Sequence, residues 1–469
     1  MGKPLLILSA LLCSGLSFGQ FQPEVRLTNN PAYSETCYSS SKCIAASGSD
    51  VYVVWSDERN GADQIYFKKS ANNGTSWGED VRISNTTEFS VQPTVVASGA
   101  GVHIIWMDNR DGNYEIYYKK STDNGATFGA DVRLTNQTAD SQSPSVSMSG
   151  SAIHVAWYDE RDGNREVYYK HSLDNGVTWS ADERITNTSE HTFYPSISSD
   201  GNNVHIVWYD DSDGFDTDIF TVNSSDNGAT WGTIVQVTAD GDEQIYPAIS
   251  SAASVVHLTY VDDRDAGNTE IYYQRSTNGG ASFGTEVRIS TNDDPSGDPS
   301  FVISGSDLYL LWIDERGAAP QLYFVKSTDN GLTWGPETVL TAGTLGRRQP
   351  SAVSAGGIIH IAWQDYRESN FEIFYKNNNG SASTGPLLTA GNISIFPNPS
   401  NGQFWLESTD KTGNIGVRVF NAVGQEVYYE LTKGNTSFLD LNFLDAGTYF
   451  LRCENDQALM DFRKLVIVR

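Results

Sequence analysis

STDNGATF occupies residues 121–128, and the chain nearly repeats it as SLDNGVTW at 172–179 and STDNGLTW at 327–334. Further copies start at Ser70, Ser224 and Ser276, in the pattern Ser-x-Asp-x-Gly-x-x-Trp. Asn72 and Asn278 stand for the aspartate in two copies, Phe128 and Phe283 for the tryptophan in two, and a seventh copy is degraded to NNNGSAST. Gly74, Gly125, Gly176, Gly228, Gly280 and Gly331 allow the positive φ of a tight turn, and the Asp or Asn can accept backbone N–H bonds inside it. The stretch therefore reads as a structural hairpin whose aromatic ring plugs the turn onto its own sheet.

Spacing this regular marks a repeat architecture. Aligned on segments such as IHVAWYDER (153–161), the chain has anchors at Trp55, Trp106, Trp157, Trp208, Tyr260, Trp312 and Trp363, 51 or 52 residues apart. Thirteen residues before the last six anchors stand Pro93, Pro144, Pro195, Pro247, Pro299 and Pro350, and Lys42 takes that place in the first repeat. Each repeat reads as four strands: a short one after the proline, an apolar one ending at the anchor, one like EIYYKKS, and one like DVRLT. Seven such units predict an all-β fold, a seven-bladed β-propeller over residues 20–390. EVRLT (24–28) copies the fourth strand ahead of the first repeat and is expected to complete the seventh blade; GPLLT (385–389) is the alternative.

The hairpin motif resembles the Asp-box, or BNR repeat, of sialidases and many other propellers, over roughly residues 24–390. The resemblance implies that the boxes lie on the face opposite the one where sialidases hold their active site. It does not carry catalytic residues across one by one. Sialidases have an Arg-Ile-Pro type motif early in the chain, absent here, and six unequal blades, whereas these seven repeats are nearly equal.

Chemistry is therefore sought on the other face. There the Trp-x-Asp-x-Arg loops offer Asp57, Arg59, Asp108, Arg110, Asp159, Arg161, Asp262, Arg264, Asp314, Arg316, Asp365 and Arg367, while repeat four pairs Asp210 with Ser212. One reading is a charge-assisted brace within or between blades. The other is a ring of ligand-binding pockets that gains by avidity on a polyvalent glycan. A single catalytic centre needs asymmetry, which appears just before each inner strand: Gln92, Ser143, Tyr194, Tyr246, Asp298 and Gln349, with Glu190, Glu243, Arg347 and Arg348 slightly earlier. Sialidases use a tyrosine nucleophile. Only if the chain is such a hydrolase would residue type make Tyr246 the nucleophile, Glu243 its base, Asp298 the acid, and Arg347 and Arg348 the carboxylate clamp. His103, His154, His205, His257 and His360 recur three residues before the anchor. Spread around seven blades they cannot converge on one metal, and they read as packed strand residues between blades.

Residues 391–469 break the pattern and read as a small β-sandwich. Pro397-Asn398-Pro399 with Gly402, VRVFNAVGQ (417–425), Leu439 to Leu441, Gly447-Thr448-Tyr449 and Lys464 to Ile467 resemble the type A sorting domain of the type IX secretion system of Bacteroidetes. That resemblance implies the secretion machinery as a partner and a released or surface-attached propeller. Residues 1–19, with Lys3 ahead of an apolar run, read as a signal peptide, and no transmembrane segment is expected in the mature chain. The net charge of −27 argues against nucleic acid. Cys37 and Cys43 are candidates for a small disulfide in an oxidising compartment, and no metal site or cofactor is expected. The leading expectation is an extracellular binding module for carbohydrate, a glycan or glycoprotein. The alternatives are an exo-sialidase-like glycoside hydrolase and a structural or adhesive scaffold.

Overall fold

The repeats form seven antiparallel sheets, one per repeat. The computed structural model describes residues 21–468 except 38–40, 212–215, 240, 266, 343–345, 380–392, 399, 409–413, 422–425, 434–435 and 455–458. The expected signal peptide and GPLLT lie outside the described residues. In blade two, Ser90–Ser98, Gly101–Asp108, Glu115–Ser121 and Val132–Arg133 pair in chain order. Every residue of Gly101–Asp108 is buried, because this strand lies mid-sheet and each face packs on a neighbouring blade. That position explains why the second strand of each repeat is a continuous apolar run rather than an alternating one.

The ring is closed by the chain's first described strand. Val25–Arg26 pairs with Glu372–Asn377, Val25 opposite Tyr375 and Arg26 opposite Phe374. The seventh sheet is thus built from both ends of the propeller, as expected for EVRLT.

The inner strands differ from expectation. They begin three residues before the proline, not after it, and the register shifts across it, between Val91 and Thr94 or Gln142 and Ser145. Proline has no N–H for a ladder, so the bulge is where it costs least. Between blades, serine hydroxyls bridge inner strands. Ser199 N–H donates to Ser147 Oγ at 2.8 Å, and Ser251 N–H to Ser198 Oγ at 2.9 Å. This accounts for the serine-rich inner strands.

The Asp-box turns are built as read, but their rings point elsewhere. Ser121 Oγ accepts from Gly125 N–H at 2.8 Å, and Asp123 accepts from Thr127 N–H at 2.9 Å and from the Thr127 and Ser121 hydroxyls. These bonds, led by that of Ser121, hold the Asp123 carboxyl down to about 2. The aromatic ring packs on the preceding blade rather than on its own. Trp179 meets Tyr118 edge-on at 5.1 Å, Trp231 meets Tyr169 at 4.9 Å, and Trp77 meets Tyr375 at 4.8 Å. Each such pair is worth about 1 kcal/mol beyond its buried area. The box glycine is required for the same contact: at Gly176, φ is +72° and a Cβ would lie 1.9 Å from Tyr118 Oη. The boxes therefore lock one blade to the next.

Residues 20–380 make one compact unit, and residues 381–469 belong to a second. The second holds a three-stranded sheet of Ile393–Phe396, Gln403–Ser408 and Thr436–Asp440, and a four-stranded one of Glu426–Lys433, Asn414–Phe420, Gly447–Glu454 and Leu459–Ile467. Phe404, Leu406 and Leu439 from the first share one core with Val417, Val419, Leu451 and Leu465 from the second, so the sheets form a small sandwich.

Candidate functional site at the channel mouth

The Asp–Arg loops are braces. Asp108 is fully buried. Its Oδ1 accepts from Arg110 N–H at 3.0 Å and Nε at 2.8 Å. Its Oδ2 accepts from Trp106 Nε1 at 2.9 Å, Arg110 Nη2 at 2.6 Å and Ser90 Oγ at 2.7 Å. Arg110 continues through Nη1 to Asp131 at 2.7 Å and stacks over Tyr117 at 4.4 Å. Asp131 in turn holds Lys119, whose Nζ reaches Ile83 O in the preceding blade at 2.7 Å. The same pairing of Asp with Arg recurs at Asp57 with Arg59, Asp159 with Arg161, Asp262 with Arg264, Asp314 with Arg316, and Asp365 with Arg367. In these pairs the carboxylate is buried and the guanidinium fork is spent on it and on an outer carboxylate, which leaves little to offer a ligand.

The same face carries a second, unequal ring. Gln92, Ser143, Tyr194, Tyr246, Asp298 and Gln349 all have positive φ, between 42° and 52°. Each precedes a proline in the bulge. A left-handed conformation costs a non-glycine residue about 1–2 kcal/mol, and a following proline restricts it further. The bulge turns these side chains toward one another around the axis. Ser143 Oγ donates to Gln92 Oε1 at 3.0 Å, Tyr194 and Tyr246 lie 5.7 Å apart, and Asp298 Oδ2 accepts from Gln349 N–H at 3.0 Å.

This ring has two halves. Blades three to five supply a continuous aromatic group. Tyr194 stacks on Tyr209 at 6.0 Å and meets Tyr158 at 6.1 Å, Phe193 stacks on Tyr209 at 5.2 Å, and Arg165 lies 4.9 Å over Tyr158 and 5.3 Å over Phe193. Tyr158 and Tyr209 are buried supports, while Phe193, Tyr194 and Tyr246 are half-buried and keep an open side. The opposite half is polar. A cavity of about 210 Å3 is lined by Tyr246, Asp298, Glu315, Arg347 and Arg348. A wider one of about 500 Å3 is lined by Glu35, Thr36, Gln92, Arg348, Gln349 and Gln364. Arg348 is exposed and belongs to both, and its guanidinium makes no hydrogen bond or ion pair among the described residues. Burial pushes the Asp298 carboxyl up, against the opposing pull of Gln349 N–H and Arg348.

Four of the five residues named for hydrolysis, Tyr246, Asp298, Arg347 and Arg348, thus line one cavity. Their availability differs. Arg347 is 1% exposed, pairs with Asp365 at 3.1 Å and donates to Ala342 O at 2.7 Å. It takes the place that Ser90 and Ser141 hold in their blades, so it is part of the brace. Glu243 is exposed on the rim, its backbone tied to Asp263, and does not line the cavity. Sequence reasoning missed Phe193, Tyr158, Tyr209, Gln364 and Glu315. The signal for Tyr158 and Tyr209 was present: the residue after the anchor is Ser56, Met107, Val261, Ile313 or Gln364 in five repeats and tyrosine only in repeats three and four.

The five recurrent histidines are buried. His103 Nδ1 bonds Tyr118 Oη at 2.8 Å and Nε2 bonds Asn175 Oδ1 of the next blade at 3.1 Å. Among the described residues no group of three His, Cys, Asp or Glu side chains is placed to hold a metal, and no helix is long and apolar enough to cross a membrane.

Residues 56–259 match the BNR repeat-like domain and residues 394–468 the secretion system C-terminal sorting domain. The chain is thus a BNR-repeat propeller followed by a sorting domain of the type IX kind, which supports a secreted or cell-surface location. Among solved structures, an ulvan lyase of a new polysaccharide lyase family, bound to -[GlcA(1-4)Rha3S]-, is similar over 75% of this chain and 95% of its own, at 12% identity and a TM-score of 0.55. A second polysaccharide lyase is similar over 76% of this chain and 99% of its own, at 9% identity and a TM-score of 0.51. These likenesses show the propeller fold. No curated protein matches the chain.

Proposed function

We propose that this BNR-repeat propeller is an extracellular carbohydrate-binding module, and that it binds at the mouth of its central channel rather than in its Asp–Arg loops. The observation that carries this reading is the split mouth: half-buried aromatic rings on blades four and five, of which Tyr246 shares a cavity with the exposed guanidinium of Arg348. Flat rings with one open side suit the apolar face of a sugar. Arg348 suits a carboxylate or sulfate on it, by bidentate hydrogen bonding. Bulge and bracing hold both halves in place before any ligand arrives, which lowers the ordering cost of binding.

The test is a glycan-array screen of residues 20–380, followed by titration of the best ligand against Tyr194→Ala and Arg348→Ala. Each variant should weaken binding about tenfold or more while still folded at the assay temperature. Binding that survives both changes, or is lost on Arg110→Lys instead, would return the site to the loops. A second reading, glycoside hydrolysis of the sialidase type, is favoured by one observation: Tyr246, Asp298 and Arg348 share a cavity. A fluorogenic sialoside assay on the same sample separates the two. Turnover that disappears in Tyr246→Phe would make the protein a hydrolase.

A further inference from the structure

We propose that Cys37 and Cys43 are joined by a disulfide in the exported protein, and that this bond fixes the wall of the mouth cavity formed by Glu35 and Thr36. The first repeat departs from the others at its inner strand. Ser34 sits opposite Asp57 as Ser90 sits opposite Asp108, and Ile44 opposite Val53 as Val95 opposite Ile104. Ten positions part Ser34 from Ile44 where five part Ser90 from Val95. The extra residues are bounded by the two cysteines. Both are buried, 2% and 0% exposed, both are free thiols, and each perturbs the titration of the other.

The flanks of this insertion build the site. Thr36 N–H donates to Gln364 Oε1 at 2.9 Å and Thr36 Oγ1 to Gln349 O at 3.2 Å, both in blade seven. Cys43 N–H donates to Ser351 Oγ at 3.1 Å. Ser41 Oγ donates to Pro144 O at 2.6 Å, so the insertion reaches from blade one to blade three. No covalent bond joins these ends, and the two thiols are buried in one core cluster. Bond formation removes one proton from each thiol. The two electrons pass to a disulfide donor of the thiol–disulfide exchange class, which leaves as two thiols. A secreted or cell-surface location, supported by the sorting domain, is one where such bonds persist. The remaining thiol of the described strands, Cys453, lies in the other unit. The inference rests on that location and not on the carbohydrate reading.

Lys42 stands between the two cysteines, so trypsin separates them unless they are bonded. The exported protein is unfolded in acid denaturant, alkylated without reduction, digested and weighed. The expected result is one pair of peptides carrying Cys37 and Cys43, linked and unalkylated, that comes apart on reduction. Alkylation of both thiols, or a link from either to Cys453, overturns the proposal. Thermal denaturation then tests the stapling role. Reductant should lower the melting temperature of the wild type and leave that of the Cys37→Ser, Cys43→Ser double variant unchanged. A wild type insensitive to reductant refutes that role even if the variant fails to fold.

Discussion

Mild acid should unfold this propeller through its buried histidines. His103, His154, His205, His257 and His360 are pressed to about 4 by burial, whereas an unfolded chain holds histidine near 6.5. Between those values the unfolded state takes up protons that the folded state refuses, so stability falls as the pH falls through this window. From pH 7 to pH 4.5 the loss is about 2.5 kcal/mol per histidine. Five such residues approach the whole stability of an ordinary domain. Asp63 works in the opposite sense. Burial, helped by Glu58, pushes it up to about 6, and it returns about 2 kcal/mol over the same range. The clean measurement is therefore a difference. His154 bonds Tyr169 Oη at 2.6 Å through Nδ1, and a glutamine can keep that bond without titrating. Urea denaturation of residues 20–380 at pH 7 and pH 4.5 should show the wild type losing about 2.5 kcal/mol more than His154→Gln. Equal losses in the two proteins would refute the argument, because His154 would then be titrating as freely when folded as when unfolded.

Gly176→Ala should destabilise by about 2–4 kcal/mol in thermal melts, since its Cβ would overlap Tyr118. Gly163→Ala, also at positive φ but with no atom within 4 Å, should cost only about 1 kcal/mol. Arg110→Lys should cost about 2–3 kcal/mol, because a lysine cannot reproduce the fork that spans Asp108 and Asp131, and glycan titration should show no change in affinity. Deleting residues 24–28 should leave the edge of Glu372–Asn377 unpaired; gel filtration should then show oligomers or aggregate in place of a single monomer peak.

The number of blades and the closing strand were legible because each rests on a column of the repeat: the anchor aromatic, the proline, the copied EVRLT. The brace was legible as one of two readings, and the five bonds on Asp108 show how such a loop is tied together. The direction of the box aromatics was not legible. A turn motif specifies its own backbone, but not which neighbour its ring meets. The mouth was half legible. Tyr194, Tyr246 and Arg348 stood out as departures from the repeat, while Tyr158 and Tyr209 sat in a column that looked like strand filler. Their meeting with Phe193 and Tyr194 joins two repeats, which no single repeat encodes. Arg347 looked like a neighbour of Arg348 with the same task, yet strand alternation sends one inward and the other out.

The pairing of Arg26 with Glu372 joins residues 346 positions apart. Val25–Arg26 must wait, unpaired, until Glu372–Asn377 has been made. No blade count short of seven can satisfy it, and so long-range a closure is intrinsically slow. The sorting domain follows that closing partner in the chain. A chain cut short anywhere in the ring therefore loses its seal and its sorting domain together, so only molecules long enough to finish the circle carry both.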